Sequence, residues 1–231
     1  MPAGPRAVVH VVRHGLVHNP RGILYGRLPD YHLSDVGTAM AERVATHLKA
    51  TVGGKVTYLA ASPLERAAET AIPISRELGL DVVTDVRLIE PANVFEGSKF
   101  AVGDGVLKRP ANWRKVLDPF TPSWGEAYLS IARRMMAAAY AAAQAATDGA
   151  RSADGSGEGD RHAVLVSHQL PIWTLRRFLE GRRLWHNPAK RQCGLASITT
   201  ITFTGGVVTA IDYAEPAADL VPTSTAGATG A

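Results

Sequence analysis

Two histidines stand where apolar runs end. In "VVHVVRHG" (residues 8–15), Arg13, His14 and Gly15 follow a β-branched stretch, and in "HAVLVSHQL" (162–170) His168 closes another. An imidazole is nucleophilic when neutral and titrates near physiological pH. A guanidinium is planar, always charged and matched to phosphate or carboxylate oxygens. Gly15 permits a close backbone approach. Arg66 lies in "SPLERAAET" (62–70), one turn into a helix after a strand, where a helix start already favours anions. Glu90 ends an extended segment in "RLIEPANVFEG" (87–97). Singly, each has a plain structural explanation: a strand-end histidine bonded to a carbonyl, or Arg66 paired with Glu65 or Glu69. Together they bring imidazole, guanidinium and carboxyl groups to positions where sites form.

The elements between them set those positions. "AVVHVV" (7–12) reads as a buried strand, and 13–33, broken by Asn19-Pro20, Gly22, Gly26 and Pro29, as a loop of a length that is usually functional or disordered. Ser34 caps a helix whose Val36, Met40, Val44 and Leu48 recur at helical spacing. A second strand covers 56–60. The following helix is expected to open with Ser62 as N-cap and Pro63 at its first position, and to kink or break at Pro73. "DVVTDVRLIE" supplies another short strand before Glu90, and 91–124 is irregular. An Ala-rich helix is expected over roughly 125–147, a flexible Gly/Ser/Asp loop over 148–161, and a strand at "HAVLVS". A helix then stops at Gly181, and a hairpin turns about Gly205-Gly206. Strands alternating with helices predict an α/β domain with a largely parallel central sheet. Ligands of such sheets gather beyond the strands' carboxyl ends, where His14 and His168 both fall.

Composition narrows the partners. A net charge of +4 on 231 residues welcomes anions but is too mild to argue for nucleic acid. The densest basic group is Lys190-Arg191 with Arg176, Arg177, Arg182 and Arg183. It has no interleaved aromatic platform and reads as a solvated face near a substrate entrance. Cys193 is the only cysteine, so no intrachain disulfide is expected and a cytoplasmic location is the simplest reading. The first residues lack a signal-peptide pattern, and "MMAAAYAAAQAA" is too short and too weakly apolar to span a bilayer. His10, His14 and His18 make no helical ligand pair, so no metal site is expected.

The order of the motifs resembles the histidine phosphatase superfamily, the group that includes cofactor-dependent phosphoglycerate mutases and many small-molecule phosphatases. The resemblance rests on RHG (13–15), the "LS..G" helix start (33–37), "SPL.RA..TA" (62–71), Glu90, "GEA....AR" (125–133) and "VSH" (166–168), and it spans roughly residues 6–213. It implies a single-domain, three-layer α/β/α sandwich of phosphoglycerate mutase-like fold over residues 1–213. Residues 214–231 are expected to form a disordered tail.

The resemblance also implies roles. His14 would be the nucleophile, Glu90 the proton donor, and His168 a stabiliser of the phosphoryl group. Arg13, Arg66 and Asn19 would bind phosphate, Arg27 and Gly15 would lie at the substrate, and no metal or cofactor would be needed. Glu96 rivals Glu90 as the acid but fits a structural or rim position better. Glu126 fits either the pocket edge or the first turn of a helix. Leu16 departs from the acidic or Gln residue common after RHG, which leaves specificity open. The implied activity is hydrolysis of a small phosphate ester. The stretch between Glu90 and His168 is short for a mutase lid, so a phosphoglycerate mutase is the alternative, and a non-catalytic phosphate-binding module the second alternative. A homodimer is within the family's range.

Overall fold

The computed structural model describes residues 6–97, 125–154 and 160–222, with backbone alone over 149–154. The strands are β1 (Arg6–Arg13), β2 (Val56–Ala61), β3 (Val83–Thr84), β4 (Arg161–Ser167), β5 (Ile198–Thr204) and β6 (Val207–Ala214). The helices are α1 (Asp35–Val52), α2 (Glu65–Leu78), α3 (Tyr128–Asp154) and α4 (Gln169–Leu179). The strands form one sheet of order β3-β2-β4-β1-β5-β6. The pairs β3-β2, β2-β4 and β4-β1 are parallel, whereas β1-β5 and β5-β6 are antiparallel. The sheet is therefore mixed, with its parallel half carrying the strands that precede His14, Ser62 and His168.

Alternation along the strands divides the core into two layers. Val9, Val11 and Leu165 face α3 and α4, packing with Met135, Ala139, Ala142, Ile172 and Leu175. Val12, Val164 and Val166 face α1 and α2, packing with Met40, Val44, Leu48, Ala71 and Ile74. Both faces of the central strands are covered, which explains their nearly continuous apolar sequences. The alanines of α3, among them Ala138, Ala139, Ala142 and Ala146, are buried against the sheet, so they serve as small packing residues as well as good helix formers.

Ser34 caps α1 as expected, its hydroxyl accepting from Gly37 N at 3.1 Å. Ser62 does not cap α2. Leu64 holds the N-cap position in an extended conformation without a side-chain bond, and the helix begins at Glu65. The Ser62 hydroxyl is engaged elsewhere, at His168. Pro73 does not break α2, which runs on to Leu78 with Pro73 buried in its interior. Tertiary packing of Ala67, Ala71 and Ile74 holds the turn that the missing N–H weakens. α3 begins at Tyr128 and continues through Asp154, so the flexible loop expected from 148 starts at least six residues too early. β3 spans only two residues, and Val86–Leu88 form a 3₁₀ turn instead of a longer strand.

The chain stays ordered past 214. A 3₁₀ turn covers Ala218–Leu220, Ala217 is buried against the α1 layer, and Asp219 pairs with Arg43. An alanine that fits the core overrides a composition that looks like a tail. The rest of the expected tail, 223–231, and the irregular stretch 98–124 lie outside the described residues.

Candidate active site

Register brings the chemistry together. On the parallel strands β1 and β4, Arg13 lies opposite Ser167, so His14 and His168 emerge side by side with ring centroids 5.2 Å apart. His14 N donates to Ser167 O at 3.1 Å and ties the two strand ends. β2 ends beside β4, with Ala61 opposite Val166 and Ser62 N donating to Val166 O. Ser62 is thereby placed next to His168.

His14 is 1% exposed, and its Nδ1 lies 2.8 Å from Gly15 O. A carbonyl only accepts, so Nδ1 carries the proton. Burial, with Arg66 and then Arg13 alongside, holds His14 well below the usual imidazole range. The ring is thus neutral at pH 7, and its lone pair sits on Nε2. Gly15 has a structural role: a Cβ there would strike the Gly37 carbonyl at the start of α1. Gly37 faces the same limit against Leu16 O. Two glycines let the helix start dock on the backbone that carries His14.

Arg13 and Arg66 are buried at 4% and 0% exposure. Arg13 Nη1 donates to Cys193 O at 2.7 Å, and Arg66 Nη2 donates to Gly26 O at 2.6 Å. Beneath Arg66 lies the buried Tyr25 ring, 4.7 Å from the guanidinium carbon. Arg13 Nε, Arg66 Nε and Nη1, and His168 Nδ1 are buried without a hydrogen-bond partner in the protein. Buried donors of this kind are rare, and an anion with several oxygens is the ligand that satisfies them together.

His168 is fully buried, with Nε2 2.7 Å from Ser62 Oγ. Burial, then Arg66, His14, Arg13 and Arg134, hold it well below the usual range, so it too is neutral. Its Nδ1 lies 3.8 Å from Glu90 Oε2. With a neutral ring this contact is proximity, not an ion pair. The Glu90 side chain is 12% exposed. Burial raises its pKa, although Arg66, Arg191, Arg13 and Arg134 pull the other way. The approach to Glu90 is clamped at several points. Ser167 Oγ donates to Leu88 O, Arg134 Nη1 to Arg87 O, and Arg27 Nε to Glu90 O. Asp85 accepts from Arg87 N and so holds the 3₁₀ turn.

Glu90 opens onto a cleft shared with Gly26, Asn93, Glu126, Tyr128 and Leu170. Glu126 precedes α3 and does not sit in its first turn. It takes a two-pronged bond from Arg134 at 2.8 and 2.9 Å and faces Arg27 at 3.7 Å. Arg27 is therefore a clamp between Glu90 and Glu126. Asn19 Nδ2 donates to Ile23 O and its Oδ1 accepts from Ile23 N, so that its amide holds its own loop. Glu96 accepts from Asn93 N, a local structural task.

Sequence reasoning missed Ser62, Tyr25, Arg134 and the placement of Arg191. Ser62 carried a misleading N-cap signal, and Tyr25 lies in a loop whose path no periodicity reveals. Arg191 was expected on a solvated face. It is instead half-buried, donating from Nε to His186 and from Nη1 to Gln169, within electrostatic reach of Glu90. Among the described residues no group of three or more His, Cys, Asp or Glu side chains is arranged to hold a metal ion, and no helix is long and apolar enough to cross a membrane.

Comparison with known proteins gives the same reading of the architecture. The chain is 50% identical over 210 residues to an uncharacterized Mycobacterium tuberculosis protein, Rv0525, covering 91% of this chain and 96% of that one. The solved structure titled mycobacterial hydrolase 2 superposes with a TM-score of 0.69 at 24% identity, covering 90% of this chain and 89% of that one. The native structure of mycobacterial glucosyl-3-phosphoglycerate phosphatase Rv2419c matches with a TM-score of 0.61 at 26% identity, covering 85% and 90%. The family model that matches residues 9–215 takes in both strand-end histidines and every element between them, and by that match the chain belongs to branch 1 of the histidine phosphatase superfamily.

Proposed function

We propose that the protein is a metal-independent phosphomonoesterase that works through a phosphohistidine at His14. The observation that carries this reading is the His14 ring itself, neutral, with Nδ1–H tied to Gly15 O and the lone pair of Nε2 left beside buried, unpartnered guanidinium donors. Nε2 attacks phosphorus as the bond to the ester oxygen breaks. Arg13, Arg66 and His168 Nδ1 hold the three equatorial oxygens, where electrostatic stabilisation acts most strongly. Glu90, whose pKa burial raises, gives a proton from its protonated form to the departing alkoxide. The resulting carboxylate then takes a proton from water as that water attacks phosphorus. The P–N bond breaks, phosphate leaves, and both Glu90 and His14 return to their starting states. The chemistry draws only on these side chains, so it needs no metal. The named relative Rv2419c is a phosphatase of a phosphoglycerate derivative, which supports a small phosphate ester as substrate class.

The test is hydrolysis of p-nitrophenyl phosphate and 3-phosphoglycerate with EDTA present, in wild type and His14→Ala. Turnover that persists in EDTA and disappears in the variant is expected. Release of inorganic phosphate from 3-phosphoglycerate marks a phosphatase, and conversion to 2-phosphoglycerate marks a mutase. Turnover retained in His14→Ala sinks the phosphohistidine mechanism.

A further inference from the structure

The guanidiniums around the cleft are not equivalent. Arg134 and Arg27 share the carboxylate of Glu126. Arg191 has no carboxylate within ion-pairing distance among the described residues. Its Nε donates to His186 Nε2 at 2.9 Å and its Nη1 to Gln169 Oε1 at 3.2 Å, both on buried side chains. His186 is neutral: burial holds its pKa down at about 4, although the bond from Nδ1 to Leu184 O pulls the other way. Gln169 in turn donates to Cys193 O, the carbonyl that also receives Arg13 Nη1. Arg191 is thus fixed by the same hydrogen-bonded chain that fixes Arg13, with the rest of its fork uncommitted.

Position gives this surplus charge its meaning. The charge acts on Glu90 and on Tyr128, both of which line the cleft, and the Tyr128 ring packs against His186. Arg13, Arg66 and His168 Nδ1 are already assigned to the phosphoryl oxygens. Glu90, where it is protonated, supplies no countercharge. Through His186, which packs on Tyr128, and through Gln169, which lies between His168 and the cleft-lining Leu170, Arg191 is held behind the wall of the cleft onto which Glu90 opens. A guanidinium held on neutral acceptors keeps its full charge and a planar face for a bidentate anion.

We propose that Arg191 determines specificity by receiving a second anionic group, a carboxylate or a second phosphate, on the alcohol portion of the substrate. The substrate class is then phosphomonoesters whose leaving alcohol is itself an anion. This deepens the phosphomonoesterase reading and rests on it.

The test compares paired esters with the full-length protein: 3-phosphoglycerate against glycerol 3-phosphate for a carboxylate, and fructose 1,6-bisphosphate against fructose 6-phosphate for a second phosphate. Wild type is expected to favour the charged member of one pair by about tenfold or more in kcat/KM, and Arg191→Gln to erase most of that preference, as loss of a bidentate ionic contact does. Equal losses on both members would overturn the proposal, because Arg191 would then act through Glu90 or the fold. A wild type without preference in either pair overturns it too. His14-dependent hydrolysis of p-nitrophenyl phosphate alongside a flat ratio leaves the phosphomonoesterase reading standing and removes only the anion site. If no ester turns over, that reading fails instead, and the site is judged by binding: 3-phosphoglycerate or the bisphosphate must raise the melting temperature more than its neutral partner in wild type and lose that advantage in Arg191→Gln.

Discussion

Ser62 Oγ lies 2.7 Å from His168 Nε2, joining the ends of two adjacent parallel strands by side chains as well as backbone. Leu64 N approaches the same hydroxyl at 3.4 Å as a donor, so the arrangement that serves both directs the Ser62 proton to Nε2. His168 then carries its own proton on Nδ1, toward Glu90 and the phosphoryl position. Ser62 is a positioning residue in this account. Ser62→Ala is expected to lower kcat about tenfold or more by freeing the tautomer, and to cost roughly 1–3 kcal/mol of stability for the unsatisfied ring nitrogen. Ser62→Thr, which keeps a hydroxyl, should recover part of kcat. Steady-state kinetics and melting curves for the pair check this. A stability loss without a kcat change would reduce Ser62 to a structural contact.

The two titrating groups of the site are shifted in opposite directions, and the pH profile follows from the signs. His14 lies well below 6.5, so the nucleophile stays neutral into the acid range. Glu90 lies above 4.5, so the donor keeps its proton to a higher pH than an ordinary carboxyl group. For an alkyl phosphate, kcat/KM is expected to be highest on the acid side of neutrality and to fall as rising pH strips Glu90. Glu90→Gln should lose the Glu90 contribution to that alkaline limb and lower kcat about 10²-fold on alkyl esters. On p-nitrophenyl phosphate, whose leaving group needs little protonation, the loss should be smaller. Equal losses on both substrates would remove Glu90 from the acid role.

Much of this site was legible because its residues sit at element boundaries. Arg13, His14 and His168 follow apolar runs that can only be covered strands, and a parallel sheet gathers strand ends by construction. Arg66 was legible through its place near a helix start, although that helix begins at Glu65, one residue before it, and not a turn earlier. What escaped was whatever depends on the path of a loop or on register between distant strands. The bonds of the Asn19 amide to Ile23, four residues on, are a local task that no periodicity announces. Arg191 looks like surface charge because it follows Lys190, yet its guanidinium is held by the buried His186 and Gln169. Ser62 and Pro63 mimic a helix start so well that only the observed bond to His168 separates the two readings. The long helix α3 ran past its expected end because the stretch 148–154 holds two alanines, Ala150 and Ala153, and Arg151, all able to continue it, as well as the Gly149 and Ser152 that suggested a loop.

A second histidine pair, remote from the cleft, sets the response of the fold to acid. His10 on β1, His162 on β4 and Thr200 on β5 lie on neighbouring strands. His10 Nδ1 is 3.0 Å from Thr200 Oγ1, and His10 Nε2 is 2.9 Å from His162 Nδ1. The rings stack with centroids 5.2 Å apart. Burial, followed by the neighbouring His162 and His47, lowers His10 to about 4. His162 is lowered as well, by burial first, with Asp160 opposing and Lys55 and Arg6 adding to the shift. The unfolded chain accepts the His10 proton below about pH 6.5, whereas the native state refuses it until about pH 4. Stability is therefore full above pH 6.5, declines as pH falls from 6.5 to about 4, and levels off below that for this group. At about 1.4 kcal/mol per pH unit the loss is on the order of 3 kcal/mol. His10→Gln keeps a polar side chain between Thr200 and His162 but does not titrate. Urea unfolding of both proteins at intervals from pH 7 to 4 should show the wild-type curve falling more steeply by about that amount. Parallel curves would mean that the buried pair accepts its proton without cost and that the acid sensitivity of the fold lies elsewhere.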